Sequence, residues 1–147
     1  MTAQHKTPDL PEQLSPPALL VHRILWVAHV LTIFAFAIVL TVQERPATPD
    51  EALALLPLLA ALALGFAAAS LFLAPVLARR RRLDYQTTNL TRYAFAEGVA
   101  VTGLILGFSG ADLRYPFAFL GVAGLLILIQ PPSQDGYKRH RADLHRG

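Results

Sequence analysis

From Ile24 to Val42 the chain runs 19 residues without a formal charge, and the apolar stretch around them starts at Ala18. A second run, Ala52 to Ala78, has 27 uncharged residues, with Pro57 and Pro75 towards its ends. A third, Tyr93 to Ser109, has 17 residues and is interrupted by Glu97. A fourth, Pro116 to Ile129, has 14, with Arg114 and Gln130 at its margins. Crossing ~30 Å of hydrocarbon takes about 20 helical residues, so the two long runs span outright. The two shorter ones span with their polar ends in the interface or with local thinning of the bilayer. All four are continuously apolar, whereas barrel strands alternate every second residue. A helix also satisfies its own backbone in lipid without partners. The pattern therefore predicts an all-α fold, an integral membrane four-helix transmembrane bundle with spans near residues 18–42, 52–78, 93–109 and 114–130.

Polar punctuation separates the runs. Ser15 before Pro16 and Pro17 reads as a helix N-cap with prolines in the first turn. Residues 43–51 form a short polar loop, Gly110 to Asp112 a tight turn, and Pro131–Pro132 a stop. Residues 1–17 are expected to be a polar N-terminal segment and residues 131–147 a basic tail. Both are expected to be mobile, being Pro-rich or charged with little apolar content. The segment 18–130 is the transmembrane domain.

Charge orients these spans. Lys6, Arg23, Arg79, Arg80, Arg81, Arg82, Arg92, Lys138, Arg139, Arg141 and Arg146 fall on one side of a four-span arrangement, against Arg45 and Arg114 on the other. By the positive-inside rule both termini are cytoplasmic. An odd number of spans would split the basic clusters. The first run is longer than a signal-peptide core and follows two acids and four prolines, so it is expected to be retained.

Composition narrows the chemistry. Hydrophobic residues make up 54% of the 147 and charged ones 16%, well under the ~25% charge of a soluble domain. With no cysteine there is no disulfide framework, thiolate metal site or thiol nucleophile. No Gly-rich phosphate loop, nucleophile elbow or HExxH occurs, so neither an enzyme nor a bound cofactor or metal is expected. The excess of basic residues is accounted for by anionic lipid beside cytoplasmic loops, with Arg79, Arg80, Arg81 and Arg82 on headgroups, and nucleic acid is not an expected partner.

The polar residues at depth are the candidate site. Glu97 lies about four residues from the middle of its span, roughly 6 Å by helical rise, where a carboxylate costs ~3 kcal/mol or more on insertion scales. A protonated resting state is expected. One role is proton binding, if water or a cation reaches the group; the other is a structural carboxyl, hydrogen-bonded to a neighbouring helix or reaching the interface beside Arg92. His22 and His29 are seven residues apart on one face of the first span. Since a single helix cannot place two ligands on opposite faces of a haem, His29 is expected to make an interhelical hydrogen bond and His22 to sit at the interface. Trp26 and Tyr93 read as interfacial belt residues. Asn89 begins a glycosylation sequon that a cytoplasmic position leaves unused.

Small residues mark the packing faces. Ala96, Ala100, Gly103 and Gly107 share one face of the third span, the two glycines forming a GxxxG. Gly65 lies in the Ala-rich second span, and Gly121 and Gly124 lie in the fourth. Close backbone approach at such residues drives helix association in lipid, either within the chain or between copies.

The stretch from the second span through the third resembles the hairpin of F-type ATP synthase c subunits, over about 55 of the 147 residues. A small-residue helix leads to a basic connection, Arg79-Arg-Arg-Arg-Leu-Asp84. A Gln86-Thr87-Thr88 triplet then stands eleven residues before Glu97, and Gly103 six residues after it. The resemblance implies that Glu97 is the proton-binding carboxylate and Gly103 a packing position on the same helix. The first and fourth spans have no counterpart in the two-helix form.

Two functions are therefore expected. One is a structural or accessory subunit of a membrane assembly, packing through its Ala/Gly faces as a homo-oligomer or against another membrane protein. The other is a proton-coupled subunit with Glu97 as the titrating group. Basic cytoplasmic loops without cysteine suit a bacterial inner membrane.

Overall fold

The computed structural model describes residues 13–43 and 49–146, all of whose regular structure is helical. Lys6 and the rest of residues 1–12, together with Glu44 and Arg45 of the first loop, lie outside the described residues. Helix α1 runs Pro16–Val42, α2 Pro49–Ala68, α3 Ala74–Arg81, α4 Tyr85–Phe108, α5 Arg114–Leu128 and α6 Gln134–Arg146. A π-helical turn, Ala69–Leu73, joins α2 to α3 into one rod. It sits immediately before Pro75, whose ring in a regular helix would press on the carbonyl four residues earlier; the wider turn relieves that clash. It also places Ser70, fully buried, where its hydroxyl donates to the Arg92 carbonyl at 3.0 Å.

The helix ends follow their local sequence. Ser15 accepts from the Ala18 amide, with Pro16 and Pro17 in the first turn. Asp84 accepts from the Thr87 amide at 2.6 Å and starts α4 two turns before the apolar run begins. Gly110, at φ 92°, ends α4 in a left-handed residue, with the Ala111 amide returning to the Leu106 carbonyl. The same closure occurs after α3 with Arg82 at φ 49° and the Leu83 amide on the Ala78 carbonyl. Both are Schellman endings, which satisfy carbonyls a helix leaves free.

Helix α4 is the axis of the fold. Tyr93, Ala96, Val99, Ala100, Gly103, Leu106 and Gly107 are all buried along it, with α5 against one side, α2 against another and α1 across both α4 and α5. The outer surface is apolar. Leu31, Phe34 and Ile38 on α1, Leu58 and Leu64 on α2, and Leu125 on α5 are each about 60% exposed or more. Two helices, α1 and the rod from Ala52 to Arg81, are long and apolar enough to cross a membrane. Only 6% and 17% of their most apolar stretches are buried, so the hydrophobic side chains face outward, unlike those of a soluble core helix. Helix α5 is a shorter apolar helix of 15 residues.

The tail departs from expectation. Residues Gln134–Arg146 form α6, which docks on the bundle instead of trailing from it. Ser133 caps it, its hydroxyl accepting from the Gly136 amide at 3.0 Å. Tyr137 is buried edge-on against Tyr85 with centroids 5.7 Å apart. The Tyr85 hydroxyl donates to the Ser133 carbonyl, and the Gln134 side chain bonds the Leu14 backbone through both its oxygen and its nitrogen. These contacts gather the start of α1, the α3–α4 connection and α6 at one end of the bundle. The basic residues Arg23, Arg79 to Arg82, Arg92, Lys138, Arg139 and Arg141 are carried by these segments.

Candidate functional site

His29 stands at the middle of α1, thirteen positions from either end, and Glu97 at the middle of α4, twelve after Tyr85 and eleven before Phe108. Their side chains meet. His29 Nδ1 lies 2.7 Å from Glu97 Oε1, across 68 residues of sequence. The expected interhelical bond of His29 and the expected partner of Glu97 are thus one contact. Because α4 begins at Tyr85, Glu97 falls at the centre of its helix rather than off it. The pair stays partly accessible, the side chains being 20% and 25% exposed.

The bond needs one shared proton: either the imidazole N–H donates to a carboxylate, or a carboxyl O–H donates to a neutral ring nitrogen. With an imidazolium as donor in the first arrangement, or a neutral imidazole as acceptor in the second, the pair carries no net charge, which is the less costly way to hold it in a dehydrated place. The Tyr93 ring, one turn before Glu97 on α4, lies 5.1 Å from the imidazole at 50°. It braces the ring from beneath.

Tyr93 faces inward and Trp26 is half-buried. Tyr93 is buried, and its hydroxyl donates to the Gln130 carbonyl at 2.9 Å; the Trp26 indole N–H donates to the Ile127 carbonyl at 2.9 Å. Both reach the end of α5, where the last carbonyls lack intrahelical partners. The aromatics pin α1 and α4 to that end, one turn from the His29–Glu97 pair along each helix.

The glycines of the third expected span close the α4–α5 seam within the chain. A Cβ on Gly103 would lie 2.7 Å from Phe119 Cβ and 3.0 Å from the Pro116 carbonyl oxygen, and one on Gly107 would overlap Leu40 of α1. Ala96 and Ala100 are buried on the same helix. Gly98, which sequence reasoning did not single out, lies against the Phe66 ring of α2, a Cβ there meeting it at 2.9 Å. Gly124 makes ordinary contact with Ile33, while Gly65 and Gly121 have open space before them.

His22 is buried, edge-on to Tyr85 at 5.5 Å. Asn89 is buried too, which closes the sequon to any glycan. Arg79, Arg80, Arg81 and Arg82 are exposed at the end of α3. Among the described residues no cluster of three His, Asp or Glu side chains is placed to hold a metal ion.

His140 on α6 bonds the Leu83 carbonyl through Nε2 at 3.0 Å. Burial holds its pKa below the ordinary 6.5, outweighing the favourable bond to Leu83. The undocked helix therefore binds the proton more readily than the docked one, and docking strengthens with rising pH. It is expected to be full above about pH 6.5 and to weaken as pH falls from there through the lowered value. Hydrogen exchange of the α6 amides should be faster at pH 5 than at pH 7.5, after correction for intrinsic rates, and His140→Gln should remove the difference.

No protein-family model, curated protein or solved structure matches this chain. The functional reading therefore rests on the geometry alone.

Proposed function

We propose that the chain is a four-span integral membrane protein, crossing the bilayer with α1, the α2–α3 rod, α4 and α5, and that it acts as a structural or accessory subunit of a membrane assembly. The observation that carries the reading is the His29–Glu97 bond. Glu97, left open between proton binding and a structural role by the sequence, is engaged here in an interhelical tie of α1 to α4. Polar side chains on membrane helices face partners for this reason. Outward apolar surfaces on every side support insertion, and the open small-residue positions Gly65 and Gly121 leave α2 and α5 free to approach a second copy or another membrane protein. The end that gathers the basic residues would face the cytoplasm by the positive-inside rule, with a bacterial inner membrane as the suited location.

A second reading keeps the c-subunit-like role, with Glu97 as a proton-binding carboxylate coupled to transport. It is favoured by the incomplete cover of the pair, which leaves a route for proton exchange. Glu97→Gln separates the two, because the amide keeps shape and hydrogen bonding but cannot titrate. For a structural subunit, the variant should assemble and function as the parent does. Intact assembly with lost activity would instead establish the proton-coupled reading. Topology has its own test in a chain without cysteine. Thr48→Cys should react with a membrane-impermeant maleimide from outside intact cells, and Gly147→Cys only after the membrane is opened. Equal reaction of both from outside would end the four-span arrangement.

A further inference from the structure

At the end where α3, α4, α5 and α6 meet, a cavity of about 370 Å³ opens between the helices. Arg79, Arg92 and Arg139 line it, against the single carboxylate of Asp143. His140 lines it as well, but its Nε2 is engaged with the Leu83 carbonyl and burial disfavours its charged form. Asn89 and Gln130 complete the polar wall. Four buried side-chain atoms here have no hydrogen-bond partner: Asn89 Nδ2, Arg92 Nε, and both Nε2 and Oε1 of Gln130. Asn89 is only 6% exposed. Buried polar atoms are nearly always paired, and these four idle ones belong to residues that line a cavity together with the guanidiniums of Arg79 and Arg139. Three of the four are donors and call for acceptor oxygens; guanidiniums match carboxylate or phosphate oxygens, and three of them around one cavity suit the more highly charged phosphate. Gln130 Oε1 is an acceptor and calls for a donor, which a hydroxyl beside the phosphate supplies.

We propose that this cavity binds a phosphate ester that also carries a hydroxyl group, the chemistry of a phosphoglycerol. Such a group reaches this end of the molecule either as the headgroup of an anionic phospholipid or as a free phosphate ester. The site lies apart from the His29–Glu97 pair and stands whichever role that pair has. It differs from diffuse headgroup attraction to Arg80, Arg81 and Arg82, which are not among the residues lining the cavity.

The test uses the full chain purified in neutral detergent, titrated in turn with sn-glycerol 3-phosphate, short-chain phosphatidylglycerol and short-chain phosphatidylcholine. Occupancy is read by native mass spectrometry, and the shift in thermal unfolding is read in parallel. One saturable equivalent is expected for a phosphoglycerol ligand, with phosphatidylcholine at least tenfold weaker. Saturation by glycerol 3-phosphate identifies a free ester as a sufficient source; saturation by phosphatidylglycerol alone identifies the lipid headgroup. Arg139→Gln, on the exposed face of α6, should weaken binding at least tenfold, as should Arg92→Gln if it folds. Arg80→Gln should leave binding unchanged. Absence of saturable binding to either phosphoglycerol, equal affinity for phosphatidylcholine, or the same loss from Arg80→Gln as from Arg139→Gln would overturn the proposal.

Discussion

Glu97→Leu is expected to lower the unfolding free energy of the bundle by ~1–3 kcal/mol, and His29→Leu by a similar amount, while the double replacement costs less than either alone. Each single change leaves a polar partner stranded between α1 and α4, and an unsatisfied group costs more than the bond it made was worth. Removing both lets two leucines pack where the ion-pairing groups met, which for buried pairs is often neutral or stabilising. The size is set by two opposing facts. Interhelical hydrogen bonds in membrane bundles average only about 0.6 kcal/mol, with a maximum near 1.7. Breaking a fully buried pair costs about 3–5 kcal/mol. Side chains that remain 20% and 25% exposed place this pair between those limits. Reversible unfolding in mixed micelles, read as a double-mutant cycle, measures the coupling. Additive losses would mean that the two groups do not depend on one another.

The second large effect lies in the α4–α5 seam. Gly103→Leu is expected to cost at least ~1–3 kcal/mol, the usual range for overpacking, because a Cβ there already meets Phe119 Cβ at 2.7 Å and the Pro116 backbone at 3.0 Å. Backbone cannot swing aside as a side chain can, so α4 and α5 must part. Gly65→Leu, with nothing within 4 Å of its Cβ, should change the stability of the isolated chain by no more than ~0.5 kcal/mol. If that replacement nevertheless blocks association with a partner in the membrane, the α2 face is the docking face. Equal destabilisation by the two leucines would contradict the seam.

Much of this fold is written in local chemistry. Ser15 with its two prolines, Gly110, and Pro131–Pro132 mark helix ends because each acts on its own backbone neighbours. Ala96, Ala100, Gly103 and Gly107 mark one face of α4 because the spacing alone aligns them. Other features depend on how helices cross. Glu97 and His29 each stand out as polar groups at depth, yet nothing local joins residues 68 positions apart. Tyr93 illustrates a related limit: the aromatic-belt rule concerns depth and says nothing about which way the helix is rotated, and here the rotation buries the ring. Helix α6 was hidden by composition. Its charged residues resemble a solvated tail, while the features that dock it are few: the Ser133 cap, Tyr137 and His140. That cap and an aromatic and a histidine one turn apart were readable signals. The basic cavity beneath it had no such signal, since Asn89 and Arg92 come from α4 and Gln130 from the end of α5, and nothing local joins them.

The proposed tie has His29 and Glu97 sharing one hydrogen-bonded proton and so holding α1 to α4. The most direct measurement is solid-state nitrogen NMR of histidine-labelled protein in lipid bilayers, with His29 assigned by His29→Gln. The expected result is an Nδ1 resonance for His29 displaced by a strong hydrogen bond, moving on Glu97→Gln while His22 stays in place. A His29 resonance indifferent to Glu97→Gln would contradict the pairing and with it the structural reading of the site.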